Sequence, residues 1–165
     1  MKRIVVYESG TGFTAKYAGW IAQRLGCEAK EFKNVKQGEL ETYDLVVYGG
    51  WIMAGMITGF NKIKTLNLKN LVVFAVGMSV SNDEVAERIA QQNQIERERL
   101  FYYEGGCKPE KLGFMKKMML KMVKKSLEKK ADKTADDLHM LETFKGADNT
   151  DKTAIEELIK YCEQI

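Results

Sequence analysis

Three short runs of β-branched and aromatic residues, at 4–7 (IVVY), 45–48 (LVVY) and 71–76 (LVVFAV), constrain the fold of this chain more than any other feature. Nearly continuous apolar runs of that length are the form of strands covered on both faces of a parallel sheet. Residues 100–103 supply a fourth candidate. The less apolar stretch 27–32 suits a sheet edge, where charged side chains stay partly solvated. Between these runs the period changes. Tyr17, Ala18, Ile21, Ala22 and Leu25 fall on one helical face, as do Val85, Ala86, Ile89 and Ala90. Ile57, Phe60 and Ile63 predict a helix after the third strand, and Ile155, Leu158, Ile159 and Cys162 a final amphipathic helix.

Strands that alternate with helices, joined by short right-handed crossovers, make a doubly wound α/β fold. The expectation is a five-stranded parallel sheet with helices on both faces, formed by residues 1–165 as one domain. At that length roughly 70 % of the unfolded chain's surface can be removed from water in a single core. Ligands of such sheets sit at the carboxyl ends of the strands, which directs attention to residues 8–14, 49–57 and 77–83.

The first of these segments holds Ser9, Gly10, Thr11, Gly12, Phe13 and Thr14 immediately before the first helix. A helix N-terminus carries unsatisfied N–H groups and partial positive charge, glycines let the chain curl so that amides converge, and hydroxyls add neutral donors. The combination is a cradle for a phosphate. A tight turn with Thr14 as helix cap would need no ligand, but three hydroxyls interleaved with two glycines exceed what capping requires. Gly10, Gly12 and Ala15 also satisfy G-x-G-x-x-A, with Glu31 near the place of a ribose-reading acid. Hydroxyls suit a terminal phosphate better than a pyrophosphate approached by bare backbone, so a mononucleotide is the better reading.

On this loop the chain resembles the flavodoxin family, whose phosphate loop reads much like S/T-x-T-G-x-T after the first strand. The usual asparagine before the last threonine is replaced by Phe13. In this the chain is similar to the branch that includes menaquinone-dependent protoporphyrinogen dehydrogenases. The resemblance implies FMN as cofactor, held by residues 9–14 and by loops bordering the flavin ring. Those loops are expected at Gly49, Gly50, Trp51 and Ile52, where an aromatic meets a flat apolar surface, and at Gly77, Met78 and Ser79. Trp51 and Met53 can equally cover the sheet end or a subunit contact. No aromatic follows the fourth strand, which leaves the second flavin face to Met78, to a distant segment, or open to a substrate or electron partner.

Residues 104–148 are an insertion before the last helix. Residues 112–130 predict a strongly amphipathic helix with Met115, Met118, Met119, Met122 and Val123 on one face and Lys117, Lys121, Lys124 and Lys125 opposite. It reads as a helix packed on the domain, as an adaptable lid, or as a peripheral contact with an anionic membrane. In the resembling branch, an insertion at this point is linked to quinone or membrane access.

The lysines concentrated here largely account for the net charge of +3. They suit an acidic protein or an anionic surface better than nucleic acid. Cys27, Cys107 and Cys162 are far apart and lack CxxC spacing, so neither a disulfide framework nor a metal site is expected, and a cytoplasmic setting follows. His139 has no nucleophile beside it and reads as structural or solvent-facing. The expectation is an FMN-dependent oxidoreductase acting on a quinone or porphyrinogen-like partner. Its alternatives are an electron carrier docking a redox protein through the lysines, and a scaffold that has lost flavin.

Overall fold

The computed structural model describes residues 1–165. The chain runs through β1 (Arg3–Tyr7), α1 (Phe13–Leu25), β2 (Glu28–Glu31), β3 (Leu45–Met53), β4 (Met56–Ile57), α2 (Phe60–Ile63) and β5 (Leu71–Gly77). It continues through α3 (Asp83–Asn93), β6 (Leu100–Glu104), β7 (Gly106–Cys107), α4 (Phe114–Lys129), α5 (Ala135–Thr143), β8 (Ala147–Asp148) and α6 (Glu156–Gln164). Five strands pair in parallel in the order β2-β1-β3-β5-β6. The chain reverses direction across the sheet between β1 and β3, the switch point at which open α/β sheets bind ligands.

Two apolar layers cover the sheet. Val5, Val47, Val72 and Phe74 face α1 and α6, where Tyr17, Ile21, Leu158 and Ile159 pack on them. Ile4, Val46, Tyr48 and Val73 face the other way, under Phe60, Val85 and Ile89 of α2 and α3. The edge strand β2 is exposed at Glu28 and Ala29, in keeping with its polar sequence. The Asn82 side chain caps α3 by accepting from the Val85 amide at 2.9 Å.

The segment after the third apolar run departs from expectation. Residues 49–53 are not a loop, because β3 continues to Met53, paired with β5 as far as Trp51 and Val76. It then turns through Ala54 (φ 51°) and Gly55 (φ 81°) into β4. Two central residues with positive φ match the turn that follows strand twist in a two-residue hairpin. Ile57 therefore belongs to β4, and the predicted helix shrinks to the single turn Phe60–Ile63.

Gly49 and Gly50 are explained by this extension. A Cβ on Gly49 would fall inside the Phe74 ring, and one on Gly50 would lie 2.6 Å from Ile57 Cγ2 and the Thr58 carbonyl oxygen.

The insertion holds more structure than its sequence pattern implies. Besides α4 it contains α5, opened by a reciprocal cap between Thr134 and Asp137, and the antiparallel ribbon β7–β8. The apolar residues of α4 do not form one packed face: Met115 and Met122 are 71 % and 69 % exposed, and no residue of the helix is fully buried.

Candidate functional site

The loop after β1 is shaped by Gly12, whose φ of 103° only glycine adopts without strain, and which stands as the N-cap of α1. Having no side chain, Gly12 cannot cap the helix. Ser9 does so instead: its Oγ accepts from the amides of Gly12 at 3.2 Å and Ala15 at 3.3 Å. Thr14 is not the cap but a buried residue in the first turn. The amides of Phe13 and Thr14 donate to no acceptor in the chain, and α1 carries no acid in its first turn. Free amides, three hydroxyls and an uncompensated helix dipole form a donor set suited to a phosphate dianion.

Phe13 has a different role from its neighbours. Its ring is 5 % exposed and packs in the layer containing Tyr17, Val76 and Tyr103. Gly105 and Gly106 lie against it closely enough that a Cβ on Gly106 would come within 2.8 Å of Phe13 Cζ. Lys108 Nζ stands 4.7 Å from the ring centroid on the remaining side. Only the backbone of Phe13 is placed to serve an anion.

Beside this loop lies a cavity of about 490 Å³. Its wall brings together Ser9, Gly10, Thr11, Phe13 and Thr14 with Trp51, Ile52, Gly77, Met78 and Ser79. Gly12, Gly49 and Gly50 are not part of the wall; the two in β3 serve sheet packing instead. Glu31, the acid of the dinucleotide alternative, also lies outside the wall and pairs with Lys33 at 2.9 Å.

Met119 and Val123 of the expected helix line the wall, as do Ala54 and Gly55 of the 49–57 segment, whereas Arg88, Gln92, Lys116, Leu120, Met140 and Phe144 escaped the sequence reading. The hairpin tip at Ala54 and Gly55 meets Arg88 and Gln92 of α3, and the insertion contributes Leu112, Lys116, Met119, Leu120, Val123, Met140 and Phe144. The capping pair Thr134 and Asp137, followed by apolar Met140 and Phe144 at i, i+4 spacing, was the legible signal for α5. Nothing local in the sequence marks Arg88 or Lys116 as part of a site. The wall carries three cations, Arg88, Lys108 and Lys116, and no carboxylate.

Hydrogen bonds fix the surrounding frame. The Val80 amide donates to Asp136 Oδ1 at 2.8 Å, and Ser79 Oγ lies 3.8 Å from Met140 Sδ, so α5 packs against the loop after β5. Tyr102 donates to the Ser79 carbonyl at 2.9 Å, and burial holds its phenol well above the ordinary value. Tyr17 donates to the Glu104 carbonyl at 2.7 Å and accepts from the Asp151 amide at 3.0 Å; burial pushes its phenol up to about 12. His139 is neither free nor catalytic in arrangement, since its Nε2 lies 3.0 Å from Glu104 Oε2, linking α5 to β6. No hydroxyl or thiol hydrogen-bonds to the side chains of this pair; the Tyr17 and Thr143 hydroxyls reach only the backbone carbonyls of Glu104 and His139.

A parallel sheet in this order, with an anion cradle between β1 and α1 and a cavity at the switch point, defines the flavodoxin-like class of α/β proteins. The chain belongs to the Flavodoxin domain family, which matches residues 4–134. Among solved structures it is similar to a flavodoxin from the domain Archaea, at 21 % identity over 66 % of this chain and 85 % of that one, with a TM-score of 0.47. It is also similar to oxidised Flavodoxin 2 from Bacillus cereus, at 17 % identity over 63 % and 84 % of the two chains, TM-score 0.46. A third is a flavoprotein from Lactobacillus acidophilus in complex with FMN, at 14 % identity over 62 % and 90 %, TM-score 0.41. No match is found among curated proteins. No helix is long and apolar enough to cross a membrane.

Proposed function

We propose that this protein binds FMN and acts as a flavin-dependent oxidoreductase on a small apolar acceptor or donor of the quinone or porphyrinogen-like class, in the manner of the protoporphyrinogen dehydrogenase branch it resembles. The donor set at Ser9, Thr11 and Thr14, with the free amides of the α1 N-terminus, fits the phosphate. Trp51, Ile52, Gly77, Met78 and Ser79 fit the apolar body and polar edge of an isoalloxazine. When bound, the flavin supplies the electron-transfer chemistry, and the chain's part is to bind, orient and exclude water.

One observation carries the enzyme reading: the cavity is walled on one side by the insertion, through Met119, Leu120 and Val123 of α4, Met140 of α5 and the flanking Leu112 and Phe144. A protein that only exchanges electrons with other proteins gains from a cofactor edge at the surface. A flexible, methionine-bearing apolar wall suits instead a small apolar molecule of adjustable shape.

The test is a titration of flavin-free protein with FMN, followed by mixing of the reduced holoprotein with a water-soluble quinone. FMN binding and rapid reoxidation of the reduced flavin, with one quinone reduced to quinol per flavin, are expected. Absence of FMN binding overturns the whole reading, including the FMN cofactor itself.

The carrier alternative draws support from Lys117, Lys121 and Lys125, which form no ion pair and present positive charge on the exposed side of α4. FMN binding without quinone reduction, combined with salt-sensitive electron exchange with an acidic redox protein, favours that alternative.

A further inference from the structure

Lys116 is carried on a helix about a hundred residues away from the phosphate loop in sequence, yet it stands at that loop's mouth. Its Nζ lies 3.4 Å from the position a Cβ on Gly10 would occupy, and 4.7 Å over the centroid of the Trp51 ring. Lys116 also lines the adjoining smaller cavity, together with Gly10 and Thr11.

Lys116 shares its lack of a carboxylate partner with Lys117, Lys121 and Lys125 of α4, and differs from them in lining the cavity. Lys16, near the other side of the loop, is instead bound to Asp148 at 3.0 Å, and Lys124 and Lys130 have acidic partners of their own. The cavity wall that Lys116 faces is without a single carboxylate, in a chain whose acids nearly match its bases, 23 against 26. An ammonium held over an aromatic face beside free amides has an unmet preference for an anion.

We propose that Lys116 is a binding residue for the cofactor's phosphate, adding a full positive charge to a loop of neutral donors and making the site selective for a phosphorylated over an unphosphorylated flavin. The proposal rests on the FMN reading above. The ammonium sits on a flexible stem already next to Gly10, so a change of side-chain rotamer brings it to an anion cradled by Ser9, Thr11 and the α1 amides. The same contact ties α4 to the loaded site, so the helix that walls the cavity is anchored when the cofactor is in place.

The test compares wild type, Lys116→Met and Lys116→Arg. Methionine keeps an unbranched stem over Trp51 and removes the charge; arginine keeps the charge. Lys116 is exposed, so neither change removes a core contact. Flavin-free protein is titrated with FMN and with riboflavin by fluorescence quenching, at low and at high salt. A charge-assisted contact at a partly solvated site corresponds to about a tenfold change in dissociation constant.

Lys116→Met should weaken FMN binding about tenfold, leave riboflavin binding unchanged, and flatten the salt dependence of FMN binding. Lys116→Arg should restore FMN binding to within about threefold of wild type. Equal weakening for FMN and riboflavin would mean that Lys116 acts by covering Trp51, and that overturns the proposal, as does an unchanged FMN constant. A wild-type protein that binds neither flavin identifies a failure of the underlying FMN reading and removes this proposal with it.

Discussion

Phe13 stands where the resembling family usually has asparagine, and replacing it separates a core role from a cofactor role. The ring is 95 % buried, reading from its 5 % exposure, and is enclosed by the Tyr17 and Tyr103 layer, Gly106 and the Lys108 ammonium. Phe13→Ala removes that ring from a site bounded by sheet and backbone, which cannot collapse far. The expected loss is about 3–4 kcal/mol, toward the lower part of the range for buried phenylalanine. Against a total stability of about 5–15 kcal/mol the variant still folds in water. With a urea m-value of about 2 kcal/mol/M, the midpoint should fall by about 1.5–2 M at unchanged m. Phe13→Leu keeps most of the apolar volume and should lose under about 1.5 kcal/mol. FMN affinity of the folded Leu variant should stay within about threefold of wild type, because the groups offered to the phosphate are amides and hydroxyls. A midpoint shift below about 0.3 M for Phe13→Ala, accompanied by a more than tenfold loss of FMN affinity in Phe13→Leu, would refute the assignment of this ring to the core.

Three further outcomes follow from the same packing. The Tyr103 hydroxyl is buried without a hydrogen-bond partner, so Tyr103→Phe should stabilise the fold by about 1 kcal/mol, raising Tm by about 2–4 °C in a thermal melt. Gly49→Ala should destabilise by about 2–3 kcal/mol in urea titration, and Phe74→Leu in the same chain should recover part of that loss, since the clash is with the Phe74 ring. Partial burial pushes the Asp148 carboxyl up, but hydrogen bonds from Thr150 and Lys16 outweigh it and hold the group at about 2, below its ordinary 3.8. A depressed carboxyl contributes stability above its unfolded value and loses it as pH falls through the folded one. The urea-midpoint difference between wild type and Asp148→Asn should therefore be widest above about pH 4 and shrink toward pH 2.

The parts of the fold written locally were legible in the residues. Doubly covered strands must be apolar on both sides, so the runs at 4–7, 45–48, 71–76 and 100–103 appear as uninterrupted β-branched and aromatic stretches. The helices that cover them show the helical period for the same reason, and the residue types between β1 and α1 disclose an anion cradle. What misled was composition read without partners. Gly49 and Gly50 look like a loop, yet they extend β3, because glycine there makes room for Phe74, Ile57 and the Thr58 carbonyl on neighbouring segments. The methionines of α4 look like one stripe, yet Met119 joins Leu120 and Val123 in lining the cavity while Met115 and Met122, the more exposed, stand outside it.

By itself, then, the sequence determined the alternation of strands and helices, the parallel sheet and the hydroxyl- and glycine-rich turn into a helix N-terminus at the end of β1, since each follows from side-chain period or from backbone chemistry within a few residues. Tertiary structure alone decided what closes the site. The insertion folds back so that Met140 and Phe144 meet the loop after β5, Arg88 of α3 reaches the cavity wall, and Lys116 comes to rest beside Gly10 over Trp51. These residues lie far apart along the chain, and neither periodicity nor motif spacing records which of them become neighbours once two apolar layers have packed on one sheet.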